Sequence, residues 1–251
     1  MVLVDIALLS LNQLAPLNAW IALALFLPIP WAIRSRCLPA IHLSVLVALM
    51  GFVPRLELLH FPHLVLKAAL ILPYLLVVAC IAPLRHSLDW LRKGSMEPRA
   101  WGLIALISLL ALAGDWGWAH FVNPDLSRYG IRLVPAMTGT LLPVYAVGFA
   151  AANALFEEII WRGVMMTALD AVLGAGWLAL ALQALEFGIA HFRRGFPNGW
   201  LGLAMTALFG AYMGLVRRYS KGLLACWIAH AVADLIIICL VIHFIEHQAA
   251  S

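Results

Sequence analysis

The chain has 251 residues, of which 65% are hydrophobic and only 11% are charged. A soluble domain carries about 45–50% apolar and roughly 25% charged residues, so this composition excludes an ordinary soluble domain and indicates a polytopic membrane protein. The net charge of +4 arises from basic residues scattered through short loops, without a basic patch that contains interleaved aromatic residues, which excludes nucleic acid as a partner.

Long apolar stretches recur along the chain at lengths that suit a lipid bilayer. A helix that spans a bilayer needs about 20 mostly apolar residues, and the sequence contains about eight such stretches. In chain order they cover approximately residues 16–33, 37–53, 64–84, 101–121, 140–169, 175–192, 199–217 and 222–246. We therefore predict an all-α fold, a polytopic transmembrane helical bundle of about eight helices, in which residues 1–251 form a single transmembrane domain.

Charge is distributed unevenly along this predicted domain. Residues 1–135 carry their charges mainly in loops or at the edges of spans, whereas the later part carries charge and histidine inside the spans. We interpret residues 1–135 as supporting helices and residues 136–246 as catalytic helices. Basic residues cluster after the first, third and seventh spans, and the positive-inside rule places that face in the cytoplasm, with both termini outside.

The fifth predicted span contains three ionised groups within six residues, Glu157, Glu158 and Arg162. A charge at the centre of a membrane helix costs about 2.5–3.5 kcal/mol, so such a cluster indicates a functional site. Residues four apart share a helix face, so we expect Glu158 and Arg162 to pair with each other. Glu157 lies about 100° around the helix, on the face of Asn153, and is left for chemistry. A buried salt-bridge network that locks helices together is the alternative.

Two further spans carry histidine inside apolar sequence. His191 ends the sixth span, and Phe187 lies one turn before it on the same face. His230 and Asp234, at positions i and i+4 of the eighth span, are expected to hydrogen-bond, which would fix the tautomer of the histidine. Each motif also has a structural interpretation. His191 could be an interfacial or core histidine, and His230 with Asp234 could be a polar contact between helices.

A carboxylate and two histidines on three helices converge only if those helices pack around a common intramembrane cavity. Two chemistries stay open for such a site. Glu157, His191 and His230 can ligate zinc and leave a fourth position for water. Without metal, Glu157 can take a proton from water while the histidines stabilise the oxyanion. Both chemistries predict hydrolysis of a carbonyl bond, such as a peptide bond.

The three stretches together resemble the CPBP family of membrane-embedded CAAX-processing and bacteriocin-processing proteases. The family pattern is E-E-x-x-x-R, then F-x-x-x-H, then H-x-x-x-N or a related residue, on successive transmembrane helices, and it matches approximately residues 150–235. The resemblance implies that Glu157 activates water and that His191 and His230 are its catalytic partners. Asp234 stands where the family usually has asparagine, and an ionised carboxylate cannot donate to an oxyanion. Asp234 is therefore expected to be protonated, to orient His230 or to ligate metal.

The resemblance also implies that Glu158, Arg162 and Phe187 support the site. It predicts an intramembrane endopeptidase that cleaves near the C-terminus of a membrane-anchored or lipidated protein. We favour a glutamic type without a cofactor over a zinc type, because the three groups suffice for water activation and oxyanion binding.

The expected location is the cytoplasmic membrane of a prokaryote, as a multi-pass protein whose partners are the lipid bilayer and the substrate protein. Two other functions compete with this one. The first is a non-enzymatic bacteriocin-immunity or regulatory scaffold of the same fold. The second is a transporter, a class that favours internal repeats and broken helices in both halves of the chain.

Overall fold

The computed structural model describes residues 1–15, 18–51, 63–122, 124, 141–193 and 195–250, with the backbone alone for residues 63 and 245–250. Every regular element in these ranges is helical and none is a strand, which confirms the all-α fold class. The predicted boundary between supporting and catalytic helices, between residues 135 and 136, lies outside the described residues.

The N-terminal half contains several short helices and one longer one. They are α1 (Val2–Leu14), α2 (Ala19–Ala24), α3 (Pro28–Ser35), α4 (Leu38–Met50), α5 (His63–Cys80) and α6 (Ala82–Arg85), followed by a 3-10 turn at Asp89–Leu91. The predicted span at 16–33 is divided between α2 and α3. Pro28 lacks an N–H, and its ring would clash with the carbonyl of Ala24, where α2 ends. Helix α1 is additional to the predicted spans.

The C-terminal half contains the longer helices. They are α7 (Pro98–Val122), α8 (Leu141–Glu158), α9 (Met166–Leu173), α10 (Trp177–Phe192), α11 (Gly199–Ser220) and α12 (Leu224–Ala250). Helix α8 continues directly into a π-helical segment, Ile159–Met165, and then into α9. Residues 141–173 therefore make one continuous helical span of 33 residues.

Among the described ranges, four helices are long and apolar enough to cross a membrane: α7, the continuous span from α8 to α9, α11, and α12 as far as Phe244. Helix α5 and the segment from α6 to Leu91 meet at an angle of 107° and make a fifth if they count as one bent span. The other apolar helices, α1, α2 with α3, α4 and α10, are shorter. The protein is thus a multi-pass membrane protein in which each predicted stretch contains helix, although several of these helices are shorter than a full span.

The π-helical segment lies at the centre of the packing. Helices α1, α4 and α5 of the N-terminal half share one apolar core with this segment, so the two halves of the chain are packed together. Helix α8 contacts α5 on one side and α12 on another, and α12 also contacts α7. The first half of the chain is therefore placed to contribute side chains to a site built on the second.

Helices α10 and α11 approach each other closely through glycine. A Cβ atom added to Gly188 would lie 2.6 Å from the carbonyl oxygen of Leu203, and one added to Gly210 would lie 3.2 Å from Cα of Ala184. Small residues permit this approach, which membrane helices use because lipid provides no hydrophobic driving force for their association. The contact fixes the position of α10, and with it the position of His191, against α11.

We expect Gly188→Val to destabilise the bundle, because the new side chain meets backbone atoms of α11. Overpacking of this kind typically costs about 1–3 kcal/mol. Thermal unfolding of the purified protein in detergent measures the effect. Gly148→Val is the matched control, since a Cβ atom there has no described atom within 4 Å. Equal unfolding midpoints for the two variants would contradict this packing.

Candidate active site

The candidate site begins where α8 ends. Glu158 is the last α-helical residue, and the π-helical segment that follows it is buried throughout. Single π-helical turns inside α-helices are rare and frequently occur at functional sites. Glu157, Glu158 and Arg162 all face the interior of the bundle, with exposures of 8%, 0% and 0%. The cluster is therefore buried among helices, and its charges must find partners there.

Glu158 and Arg162 form the ion pair that their spacing predicts, with 3.1 Å between Oε1 and Nη1. The Arg162 guanidinium also lies over the ring of Phe187, 4.6 Å from the ring centroid. Its Nη2 donates to the carbonyl oxygen of Gly210 at 3.4 Å. Removing one member of a buried ion pair is strongly destabilising, because the other charge is left unpaired. Arg162 and Phe187 thus hold Glu158 in place between α8, α10 and α11.

His230 takes Glu158 as its closest acidic partner. Its Nδ1 lies 2.7 Å from Oε1 of Glu158, whereas its Nε2 lies 3.8 Å from Oδ1 of Asp234. The second distance exceeds hydrogen-bond length, so the predicted hydrogen bond between His230 and Asp234 is absent. Glu158 is held by Arg162 and accepts only, so Nδ1 of His230 carries a proton. The Nε2 atom then faces Glu157, whose Oε2 is 3.5 Å away.

Lys67 of α5 is a site residue that the motifs do not contain. Its ammonium group donates to Oε1 of Glu157 and to Oδ1 of Asn153. Glu157, which the spacing leaves for chemistry, thus has a cationic partner from the N-terminal half of the chain. The signal was present in the sequence, because Lys67 lies inside an apolar stretch, where a charge is as costly as it is at Glu157.

Asn153 connects Lys67 to Asp234. Its Nδ2 donates to Oδ2 of Asp234 at 2.9 Å, while its oxygen accepts from the ammonium group. Together with the contacts of His230 and Glu157, these bonds close a ring of polar groups that joins α5, α8 and α12. Asp234 therefore belongs to the site. A hydrogen bond from Asn153 holds it there, and it lies within 3.8 Å of His230.

His191 lines the same cavity as His230 and Asp234. Its Nδ1 lies 2.8 Å from the carbonyl oxygen of Phe187, which can only accept, so that nitrogen carries a proton. The cavity has a volume of about 300 Å³ and lies between α7, α10, α11 and α12, and its polar lining includes Asp115, His191, His230 and Asp234. Most of the remaining lining is apolar. Glu157 is not among the described lining residues and reaches the cavity through its contact with His230.

The zinc ligand set of the sequence interpretation is not assembled. In the ranges that the structure describes, no group of three His, Cys, Asp or Glu side chains is close enough to hold a metal ion. One contact opposes such a set, because Lys67 occupies one oxygen of Glu157 and an ammonium group repels a metal ion at the same carboxylate. No step that uses a metal ion is derived for this site.

Comparison with known proteins bears on the C-terminal half of the chain. No curated protein and no solved structure matches the chain. A family model, described as type II CAAX prenyl endopeptidase Rce1-like, matches residues 139–236. The matched segment contains all three motifs, from Glu157 to Asp234. Residues 139–236 therefore match the Rce1-like type II CAAX prenyl endopeptidases, a protease family, and this match confirms the resemblance that the motifs carry.

Proposed function

We propose that the protein is an intramembrane endopeptidase of glutamic type. Its reaction is the hydrolysis of a peptide bond near the C-terminus of a membrane-anchored or lipidated protein. One observation carries the proposal. Oε2 of Glu157 accepts no hydrogen bond from any described residue, and it lies 3.5 Å from Nε2 of His230, a residue that lines the cavity. A carboxylate oxygen in this position suits a general base.

The charges of the cluster support a protonated His230. Three carboxylates, Glu157, Glu158 and Asp234, are accompanied by two cations, Lys67 and Arg162. An imidazolium at His230, which contacts all three carboxylates, brings the net charge of these six groups to zero. Burial of an unbalanced charge is costly, so the neutral cluster is favoured. Nε2 of His230 then carries a proton that it can donate.

The reaction follows from these positions. Glu157 takes a proton from water through Oε2, and the water oxygen forms a bond with the carbonyl carbon of the scissile peptide. His230 donates from Nε2 to the oxyanion that develops. His191 carries its proton on Nδ1, so its Nε2 can accept a hydrogen bond from the attacking water. The proton on Glu157 then passes to the leaving nitrogen as the C–N bond breaks. Glu158 and Arg162 keep His230 oriented throughout.

The composition of the cavity wall supports a membrane-associated substrate. Apolar side chains of α7, α11 and α12 form most of it, including Ile107, Leu110, Met205, Leu208 and Ile237. An apolar segment next to the scissile bond can be buried there, while the polar groups of the lining supply the chemistry. The cavity is thus suited to a C-terminal tail that enters from the bilayer.

Glu157→Gln is expected to abolish cleavage, because an amide cannot take the proton of the attacking water. General-base catalysis contributes typically about 10²–10⁴-fold. Cells that express wild type or the variant are compared by labelling the new termini of their membrane proteins and identifying them by mass spectrometry. Glu97→Gln, in an exposed loop, is the matched control and should give the wild-type set of termini.

Termini that are present with wild type and Glu97→Gln but absent with Glu157→Gln support the protease. An identical set of termini in all three strains, with equal expression of the proteins, would instead support the non-enzymatic scaffold and overturn the proposal.

A glutamic mechanism also predicts resistance to chelators. Cleavage of a peptide that spans the identified site should continue at the wild-type rate after dialysis of the purified protein against 1,10-phenanthroline. The metal content of the same sample, measured by mass spectrometry, should stay well below one ion per chain. Loss of activity on dialysis and its return on addition of zinc would contradict the glutamic type and favour the zinc type.

A further inference from the structure

Lys67, Asn153 and Asp234 form a row of hydrogen bonds that crosses three helices, α5, α8 and α12. The ammonium group of Lys67 donates to Oδ1 of Asn153, and Nδ2 of Asn153 donates to Oδ2 of Asp234 at 2.9 Å. The same ammonium group donates to Glu157. The side chains of Lys67 and Asp234 are only 13% and 12% exposed, so this row is built inside the bundle.

Donor and acceptor chemistry fixes the direction of the row. An ammonium group only donates, so the amide of Asn153 must turn its oxygen to Lys67 and its NH₂ to α12. A carboxylate only accepts, so Asp234 is a suitable receiver for that NH₂. The cation and the anion are therefore held at opposite ends of one amide, each in the orientation that the other requires.

The two ends also balance each other in charge. Lys67 alone would neutralise Glu157, and Asp234 alone would add a second negative charge close to it. The other titratable groups facing Glu157 are His230 of α12 and His191 of α10, and Glu158 is its neighbour in α8. With Lys67 and Asp234 both present, their charges cancel and Glu157 keeps one cationic contact at Oε1.

We propose that Lys67 is a positioning residue for Glu157 and that Asp234 is its compensating partner through Asn153. This inference rests on the proposed function. Lys67 holds Oε1 of Glu157 from the side of α5, so Oε2 is the oxygen left next to His230. Lys67 thereby selects which oxygen acts as the base and keeps the carboxylate ionised. Asp234 offsets the added cation, which accounts for a carboxylate where the family pattern has an amide.

The test is a cycle of four proteins: wild type, Lys67→Met, Asp234→Asn and the double variant. The substrate is a quenched-fluorescent peptide that spans the cleavage site identified by terminal labelling, and the enzyme is the purified full chain in proteoliposomes. The rate is measured against pH and against peptide concentration. Lys93→Met, an exposed loop lysine, is the matched control.

Lys67→Met should lower kcat by at least about tenfold with little change in KM, since the base is misplaced rather than the substrate. It should also move the acid limb of the pH profile to higher pH, because a carboxylate without its cation is protonated more readily. Asp234→Asn should move that limb to lower pH. The double variant should return the acid limb towards its wild-type position. This result would show that the two residues compensate each other. Lys67→Arg should keep most of the activity.

Lys67→Gln guards against a folding defect, because it removes the charge and retains a hydrogen-bond donor. The same shift of the acid limb in the folded fraction of Lys67→Gln as in Lys67→Met supports the proposal. If Lys67→Met and Lys67→Gln give the rate and pH profile of Lys93→Met while Glu157→Gln is inactive, the positioning role is overturned and the protease remains. If Glu157→Gln cleaves the peptide at the wild-type rate, the proposed function itself is overturned.

Discussion

The ion pair between Glu158 and Arg162 is the interaction on which the rest of the site depends. Both side chains are completely inaccessible to solvent, so water cannot solvate either charge. Glu158 in turn fixes Nδ1 of His230, which directs Nε2 of that histidine towards Glu157 and the cavity. A single buried carboxylate therefore connects the scaffold of α8 to the orientation of a group on α12. The π-helical segment and the ring of Phe187 support Arg162 at the other end of the pair.

The two halves of the chain are interdependent because they share charge as well as apolar contacts. Glu157, in the half with the protease motifs, takes its cationic partner from α5 in the other half. Helices α1, α4 and α5 also share an apolar core with the π-helical segment. The N-terminal helices are therefore more than a passive support. They complete the electrostatic environment in which a carboxylate can stay ionised inside a membrane.

Spacing within one helix could be read from the sequence, whereas partners across helices could not. The all-α class follows from apolar length, and the pairing of Glu158 with Arg162 follows from residues four apart in one helix. The partner of His230 was misassigned, because Asp234 is near it in sequence and Glu158 is near it only in space. Lys67 stands out in the sequence as a charge inside an apolar stretch, but its pairing with Glu157 depends on proximity in space. Interhelical contacts depend on how closely helices pack, which here is set by small residues such as Gly188.

The central claim is that buried charges of the two halves of the chain neutralise each other. A double-mutant cycle at Lys67 and Glu157, measured by the free energy of unfolding, tests it. Wild type, Lys67→Met, Glu157→Gln and the double variant would be unfolded in detergent and their free energies of unfolding compared. Removal of one partner from a buried pair costs about 3–5 kcal/mol. The account predicts that each single variant is strongly destabilised and that the double variant loses much less than the sum of the two. Additive losses would show that Lys67 and Glu157 do not interact, and would contradict the account.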